Sequence, residues 1–369
     1  MKLQKILLLT LFITLFSCTE ENYYTTTEGL GKVNVYIEEN LTNVEAQAKL
    51  LVEIGTQTEN IYVQNTTLLT DIVINTANTE NLRGIYIDDN NAQLRNITLQ
   101  GNNTKISQII IKNSKQNTNI LIEGYTEANI VQIFTYGYKF DEVTGWQTGT
   151  TNTTNIVCND LIKIKQNFNF IASIVDGNNI AFNDLKIVEA NNPTYFWCYW
   201  RGKFDNISLP KLEEMSNLKT STFGENFTNI PEYRLGLSIN NLTLPELKKM
   251  NAFSLSGTAT GINHLNVPKL QILNSFFLKT FTTGDGIVPL SSYTYSDSRF
   301  QFPMLQTCEY FYIDMLGFES TYVNSYLSKF LNVQPVSGKN IRLYGDAPSG
   351  QGIIDKQTLI DNGNDVLTN

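Results

Sequence analysis

Between residues 60 and 134, seven apolar triplets recur at near-constant spacing. They are Ile61-Tyr62-Val63, Ile72-Val73-Ile74, Ile85-Tyr86-Ile87, Ile97-Thr98-Leu99, Ile109-Ile110-Ile111, Ile120-Leu121-Ile122 and Val131-Gln132-Ile133. Their first residues lie 11, 13, 12, 12, 11 and 11 positions apart. Each triplet holds an aliphatic residue at i and i+2, so in an extended strand two side chains share one side and the middle one takes the other. The outer pair of residues is always aliphatic, whereas the middle position varies from Tyr through Thr to Gln. Such a chain has a constant inside and a free outside, repeated. Asn, Thr and Gly dominate the intervals, and these residues turn readily.

Two triplets make a unit of about 23 residues: Ile61 to Ile85 is 24, Ile85 to Ile109 is 24 and Ile109 to Val131 is 22. That length suits one coil of a parallel β-solenoid, or of a leucine-rich repeat, with two or three short strands per coil. Coils stacked about 4.8 Å apart hydrogen-bond one to the next. Asn60, Asn96, Asn119 and Asn129 are placed to stack or to bond turn backbone. The expected fold is mainly β, a single-stack solenoid of about 23 residues per coil with short helical caps at both ends.

The flanks supply the caps that a repeat array needs to cover its core and strand edges. Lys32 to Ile37 alternates like a strand, and Thr42-Asn43-Val44-Glu45 has capping-box spacing. Val44, Ala48, Leu51 and Ile54 then fall on one helical face, so residues 32–55 are expected to be a strand and helix cap. Residues 135–160 interrupt the pattern and predict a protruding loop or hairpin carrying Tyr136, Tyr138 and Trp146. Strand patterns resume at Leu161–Ile164, Phe168–Ile171 and Leu185–Val188, followed by the aromatic run Tyr195–Trp200. Beyond Gly317, Tyr322, Val323, Tyr326, Leu327, Phe330 and Leu331 have helical spacing. Ile341–Tyr344 predicts a strand, and Asp355 to Ile360 a short helix between an Asp cap and Gly363. Residues 317–369 form the expected C-terminal cap.

In the second half the repeat acquires a proline corner. Leu209-Pro210-Lys211-Leu212-Glu213-Glu214-Met215 recurs at Leu244–Met250, Val267–Leu273 and Phe302–Cys308. The prolines lie 35, 23 and 35 residues apart, so the 23-residue coil persists with about 12 extra residues in two coils. The positions before Pro, two after it and five after it are apolar and point to a core; Pro at a corner breaks no ladder. These residues resemble bacterial leucine-rich-repeat surface proteins and the receptor L-domain version of that repeat. The resemblance spans roughly residues 56–316 and implies one solenoid domain. The amino-terminal half has Ile where Leu is usual and no Pro corners, which also fits a right-handed parallel β-helix running into the repeats.

Lys2 and Lys5 precede an apolar stretch, Ile6 to Phe16, that is shorter than the roughly 20 residues of a membrane span and fits a secretory signal. It ends in Leu15-Phe16-Ser17-Cys18, which resembles a bacterial lipobox, and Thr19-Glu20-Glu21-Asn22 is similar to the acidic tag of surface-exported lipoproteins of Bacteroidetes-type bacteria. The resemblance implies a signal peptide over 1–18, acylation of Cys18, a tether over 19–31 and a surface-exposed place on the bacterial outer membrane. Cys158, Cys198 and Cys308 are then left, either as three buried thiols or with one pair, such as Cys158 with Cys198, in a disulfide.

A net charge of −8 argues against nucleic acid and against electrostatic docking to anionic lipid. His264 is the single histidine, too little for a zinc site or a histidine-dependent nucleophile beside scattered cysteines. Asp88-Asp89-Asn90-Asn91 and Gly284-Asp285-Gly286 offer oxygens for Ca²⁺, and turn formation accounts for both equally well. No cofactor is expected. Tyr62, Tyr86 and Arg83 with Asp88 and Asp89 face outward but nominate no catalytic pair. The remaining leads are Tyr136, Tyr138, Trp146, Trp197, Tyr199 and Trp200, as contacts for a glycan or protein ligand, although alternation buries half of 195–200. The expected function is a lipid-anchored binding or adhesion module. A carbohydrate-active β-helix enzyme and a structural surface protein without a specific ligand are the alternatives.

Overall fold

The computed structural model of the protein describes residues 29–369 except 136–138, 142–144, 148–151, 174–175, 190–197, 220–236, 258–260, 281–299 and 316. Of the 23 strands described, 21 join one sheet in which every pairing is parallel; the other two form a separate antiparallel hairpin. The fold is therefore a β-solenoid. Its coils place strands on up to three faces, as the 17-residue strands Asn96–Lys112 and Thr118–Phe134 show. The two stay paired on all three faces, with Asn96 beside Asn119, Lys105 beside Glu127 and Ile109 beside Val131, and the register shifts between Gln100 and Lys105, at the first corner.

The long face runs unbroken through thirteen parallel strands, from Asn34–Ile37 to Asp365–Thr368. Its inner column is Val35, Ile61, Ile85, Ile109, Val131, Phe168, Cys198, Leu218, Phe253, Phe276, Phe311, Ile341 and Val366, all buried. The column is aliphatic in the early coils and turns aromatic later, with Phe253, Phe276 and Phe311 stacked at 5.9 and 5.0 Å. Each such side chain contributes about 1.5–3 kcal/mol by leaving water, against no more than about 1 kcal/mol for an exposed ion pair. Apolar columns thus hold the solenoid together.

A second face begins its strands with a ladder of side-chain amides. Asn179 donates to Asn155 at 3.0 Å, Asn155 to Asn119 at 3.3 Å and Asn119 to Asn96 at 2.9 Å; Asn96 donates in turn to the Asp71 carboxylate. The carboxylate ends the ladder as an acceptor with no N–H of its own, and the Asn96 and Thr70 hydrogen bonds hold its pKa below the usual Asp range. Asn60 likewise donates to Asn34, and Asn274 to Asn251 to Asn217. Of the expected asparagines, Asn60, Asn96 and Asn119 stack at strand starts and Asn129 lies within Thr118–Phe134; in the turns, Asn183 donates to Asn159 at 2.8 Å.

The third face carries coil-to-coil ion pairs, among them Lys105–Glu127 (3.0 Å), Lys165–Glu127 (2.8 Å) and Lys248–Glu213 (2.6 Å). Hydrogen bonds from Lys165 and Lys105 push the Glu127 pKa down to about 2.

All four proline corners close in the same way. The backbone N–H of Leu212, Leu247, Leu270 and Leu305 donates to the carbonyl of Leu209, Leu244, Val267 and Phe302 at 3.2–3.3 Å. The residues before Pro, two after and five after are buried in every copy, as the spacing predicts. Some corners elsewhere are pinned from inside by a buried Asn: Asn91 donates to the Val63 and Asp88 carbonyls and accepts from the Thr66 N–H and hydroxyl.

Both ends carry helices. Helix α1 (Asn43–Glu53) starts at the expected capping box, with Thr42 and Glu45 bonded reciprocally. Its buried face differs from the expected one: Ala46 and Leu50 pack inward, while Val44 and Leu51 are 79% and 74% exposed. Asn43 decides this rotation, donating to Thr70 and Asp71 and accepting from both of their N–H groups. Helix α2 (Ser320–Phe330) buries Val323, Tyr326, Leu327 and Phe330 as predicted. Helix α3 (Gln351–Asp361) begins earlier than expected, and Asp355 lies in its interior, accepting from Gln351, instead of capping it. Strands Asn340–Tyr344 and Asp365–Thr368 continue the long face through this region, so the last two units are strand and helix rather than three-sided. The interruption after Phe134 contains an antiparallel hairpin, Lys139–Asp141 with Gly145–Gln147; Thr154–Cys158 is already back in the solenoid, earlier than residue 160.

Candidate functional site: an aromatic strip on the long face

The outward middle position of the long face reads, coil by coil, Tyr36, Tyr62, Tyr86, Ile110, Gln132, Asn169, Tyr199, Lys219, Ser254, Phe277, Tyr312, Arg342 and Leu367. Six of these thirteen are aromatic. The equivalent column of the asparagine face reads Val73, Thr98, Leu121, Val157, Ala181, Ser208, Thr243, Asn266 and Gln301, with no aromatic residue. Ladder packing is available to both faces, so it does not account for the segregation.

At the amino-terminal end, Tyr36, Tyr62 and Tyr86 stack in successive coils at 4.9 and 5.0 Å, with ring planes 11° and 13° apart. Parallel rings touch at about 3.5 Å, so a 5 Å centroid separation means that they are slipped, leaving part of each ring uncovered. Tyr86 folds back over Gly84, where a Cβ would sit 2.5 Å from the ring, and its hydroxyl donates to Gln108 at 3.3 Å. Glycine there is a steric requirement of the tyrosine.

At the carboxy-terminal end, Phe277 and Tyr312 stack at 4.5 Å, Tyr310 lies beside Tyr312 with planes 10° apart, and Tyr344 closes on Tyr312 at 5.3 Å. The Tyr312 hydroxyl donates to Asp314 at 3.2 Å, and Asp314 pairs with Lys279 at 3.4 Å. Burial raises the pKa of Tyr310 and of Tyr312 above the ordinary phenol range, so both remain neutral hydroxyls at physiological pH. Arg342 is engaged by Asp365. Chemically, this end offers apolar ring surface edged by neutral hydroxyls and a charge-neutral ion pair.

Of the residues nominated from sequence, Tyr199 is on the strip, half-buried between Asn169 and Lys219. Trp200 is not a contact residue. It is fully buried, donates its indole N–H to the Phe168 carbonyl at 3.1 Å and packs edge-on against Phe168. Alternation turns it inward. Trp146 sits on the hairpin opposite Phe140. Cys18, Tyr136, Tyr138, Trp197 and the Gly284–Gly286 segment lie outside the described residues. Arg83 pairs with Glu59, and Asp89 accepts from the Ser114 N–H and hydroxyl, so neither joins Tyr62 and Tyr86 in a site.

Asn91 is committed to its corner, and among the described residues no three His, Cys, Asp or Glu side chains converge as metal ligands. His264 is on a strand, exposed in the asparagine register opposite Asn241. Cys158, Cys198 and Cys308 are buried free thiols, and burial raises the pKa of Cys198 and of Cys308 to about 12. Tyr36, Phe277 and Tyr312 escaped the sequence reading. Their signal is an aromatic residue at the middle position of a triplet in adjacent coils, which becomes a contact only once the register is known. Compared with known proteins, the chain matches no family model, no curated relative and no solved structure.

Proposed function

We propose that the protein is a lipid-anchored binding module of the bacterial cell envelope whose aromatic strip takes a glycan. The observation that carries this reading is the confinement of six aromatic residues to the middle column of one solenoid face. Slipped rings edged by neutral hydroxyls suit sugars, which present apolar C–H faces and hydroxyl edges. The ions at the carboxy-terminal end are paired with one another, which favours holding a ligand over acid–base chemistry on it. Extended solenoid faces are common binding surfaces.

The full chain in detergent is expected to be retained on at least one immobilised neutral polysaccharide from a panel of hydroxyethylcellulose, xylan, mannan and amylose. The double variant Phe277→Ser/Tyr312→Ser is expected to lose about tenfold or more in affinity, on the order of 1–3 kcal/mol for two aromatic contacts. Equal retention of the variant, or retention by none of the panel, would sink the glycan reading. No new reducing ends or unsaturated products are expected on incubation. The anchor is tested separately: Cys18→Ala should abolish incorporation of labelled palmitate, and continued labelling rules out lipidation at that residue.

A further inference from the structure

Resting on the glycan-binding reading, we infer that the ligand is a linear, uncharged polysaccharide lying along the solenoid axis and contacting three aromatic stations of the long face at once. The stations follow from the register. Tyr36, Tyr62 and Tyr86 occupy the first three strands, Tyr199 the seventh, and Phe277 and Tyr312 the tenth and eleventh. All share one column, so they lie on a line parallel to the axis. With neighbouring strands about 4.8 Å apart, Tyr36 and Tyr312 are about 48 Å apart along the sheet.

A compact ligand cannot reach two stations, whereas a linear polymer reaches all three. A β-1,4-linked pyranose chain advances per sugar by roughly the spacing of two strands in a sheet, so about ten sugars match the strip nearly residue for residue. The charge distribution selects the class of chain. The protein carries −8 overall, yet the thirteen middle positions hold only Lys219 and Arg342 as charged residues, and Arg342 is engaged by Asp365. The Lys279–Asp314 pair beside Tyr312 is neutral as a pair, and the coil-to-coil ion pairs of Lys105, Lys165 and Glu127 stand on another face. A strip this neutral offers nothing to balance a charge on every sugar.

Each station alone grips weakly; linking three raises the effective concentration at the second and third contacts. Affinity must therefore climb with chain length until the chain spans the strip. The test measures binding of the full-length protein to size fractions of partly hydrolysed hydroxyethylcellulose, xylan, mannan and amylose, with polygalacturonate as the charged comparison. Chains of ten or more sugars are expected to bind at least tenfold more tightly per chain than tetramers. Tyr62→Ser, at the station farthest from Phe277, should weaken long-chain binding about tenfold and tetramer binding much less, because two stations remain open to tetramers. Tyr62→Phe, which keeps the ring, should lose much less long-chain affinity than Tyr62→Ser, and unchanged thermal midpoints show that both variants fold.

Equal affinity for tetramers and long chains, no effect of Tyr62→Ser on long chains, or preference for polygalacturonate overturns the axial, uncharged chain while leaving the glycan reading standing. Failure of every fraction to bind overturns both.

Discussion

Trp200→Ala is expected to cost about 3–5 kcal/mol of stability, the range for emptying a buried indole site. The side chain is fully buried, meets Phe168 at 5.7 Å and Phe170 at 6.1 Å, and satisfies the Phe168 carbonyl through its N–H. Removing it opens a cavity in a cluster that also contains Phe182, itself edge-on to Phe168 at 4.9 Å. Because each coil contacts only its neighbours, the damage should centre on the coils around residues 163–219 before it spreads. Urea unfolding followed by circular dichroism reads the loss as a lower midpoint; Trp200→Phe, which keeps most of the volume but not the N–H, should lose about 1–2 kcal/mol. An unchanged midpoint for the alanine variant would mean that the indole is not a core residue. Polysaccharide retention by Trp200→Phe should equal that of the parent, because the ring never reaches the strip.

Gly124→Ala is the second large effect, about 2–4 kcal/mol. Gly124 has φ +73°, where a Cβ costs about 1 kcal/mol, and its added Cβ would lie 2.3 Å from the Gly101 carbonyl oxygen in the coil below. That neighbour is backbone, so relief requires the strands Asn96–Lys112 and Thr118–Phe134 to part at the corner where they turn together. Gly338 provides the comparison. Its φ is +81°, but nothing lies within 4 Å of an added Cβ, so Gly338→Ala should show the backbone strain alone, about 1 kcal/mol. Thermal or urea midpoints of the two variants separate clash from strain; equal losses would show that the Gly101–Gly124 approach is not tight.

Much of the architecture was legible because strand and corner patterns are local. Aliphatic residues at i and i+2 reported the inner columns, and apolar-Pro-x-Leu reported the corners, whose turn is closed by residues three apart. The capping box of α1 was legible for the same reason: Thr42 and Glu45 satisfy one another. Misreadings arose where a partner lies a coil away. Val44 and Leu51 have helical spacing, but four hydrogen bonds between Asn43 and Thr70–Asp71 rotate α1 so that Ala46 and Leu50 face the core instead. Trp200 looked like a contact because it stands in an aromatic run; its parity in the strand sends it inward.

By itself the sequence determined that the chain coils, at what period, with which residues inside and where it turns, since all of these depend on side-chain alternation and neighbours a few residues apart. Only the tertiary structure decided which outward residues become neighbours. Tyr36 and Tyr62 are 26 residues apart in the chain and 4.9 Å apart in space, and Phe277 and Tyr312 are 35 apart and 4.5 Å. That proximity depends on register, which the summed hydrogen bonding and core packing of every coil set together. The triplets therefore foretold a free outer face, and stacking the coils turned its scattered aromatic residues into a line.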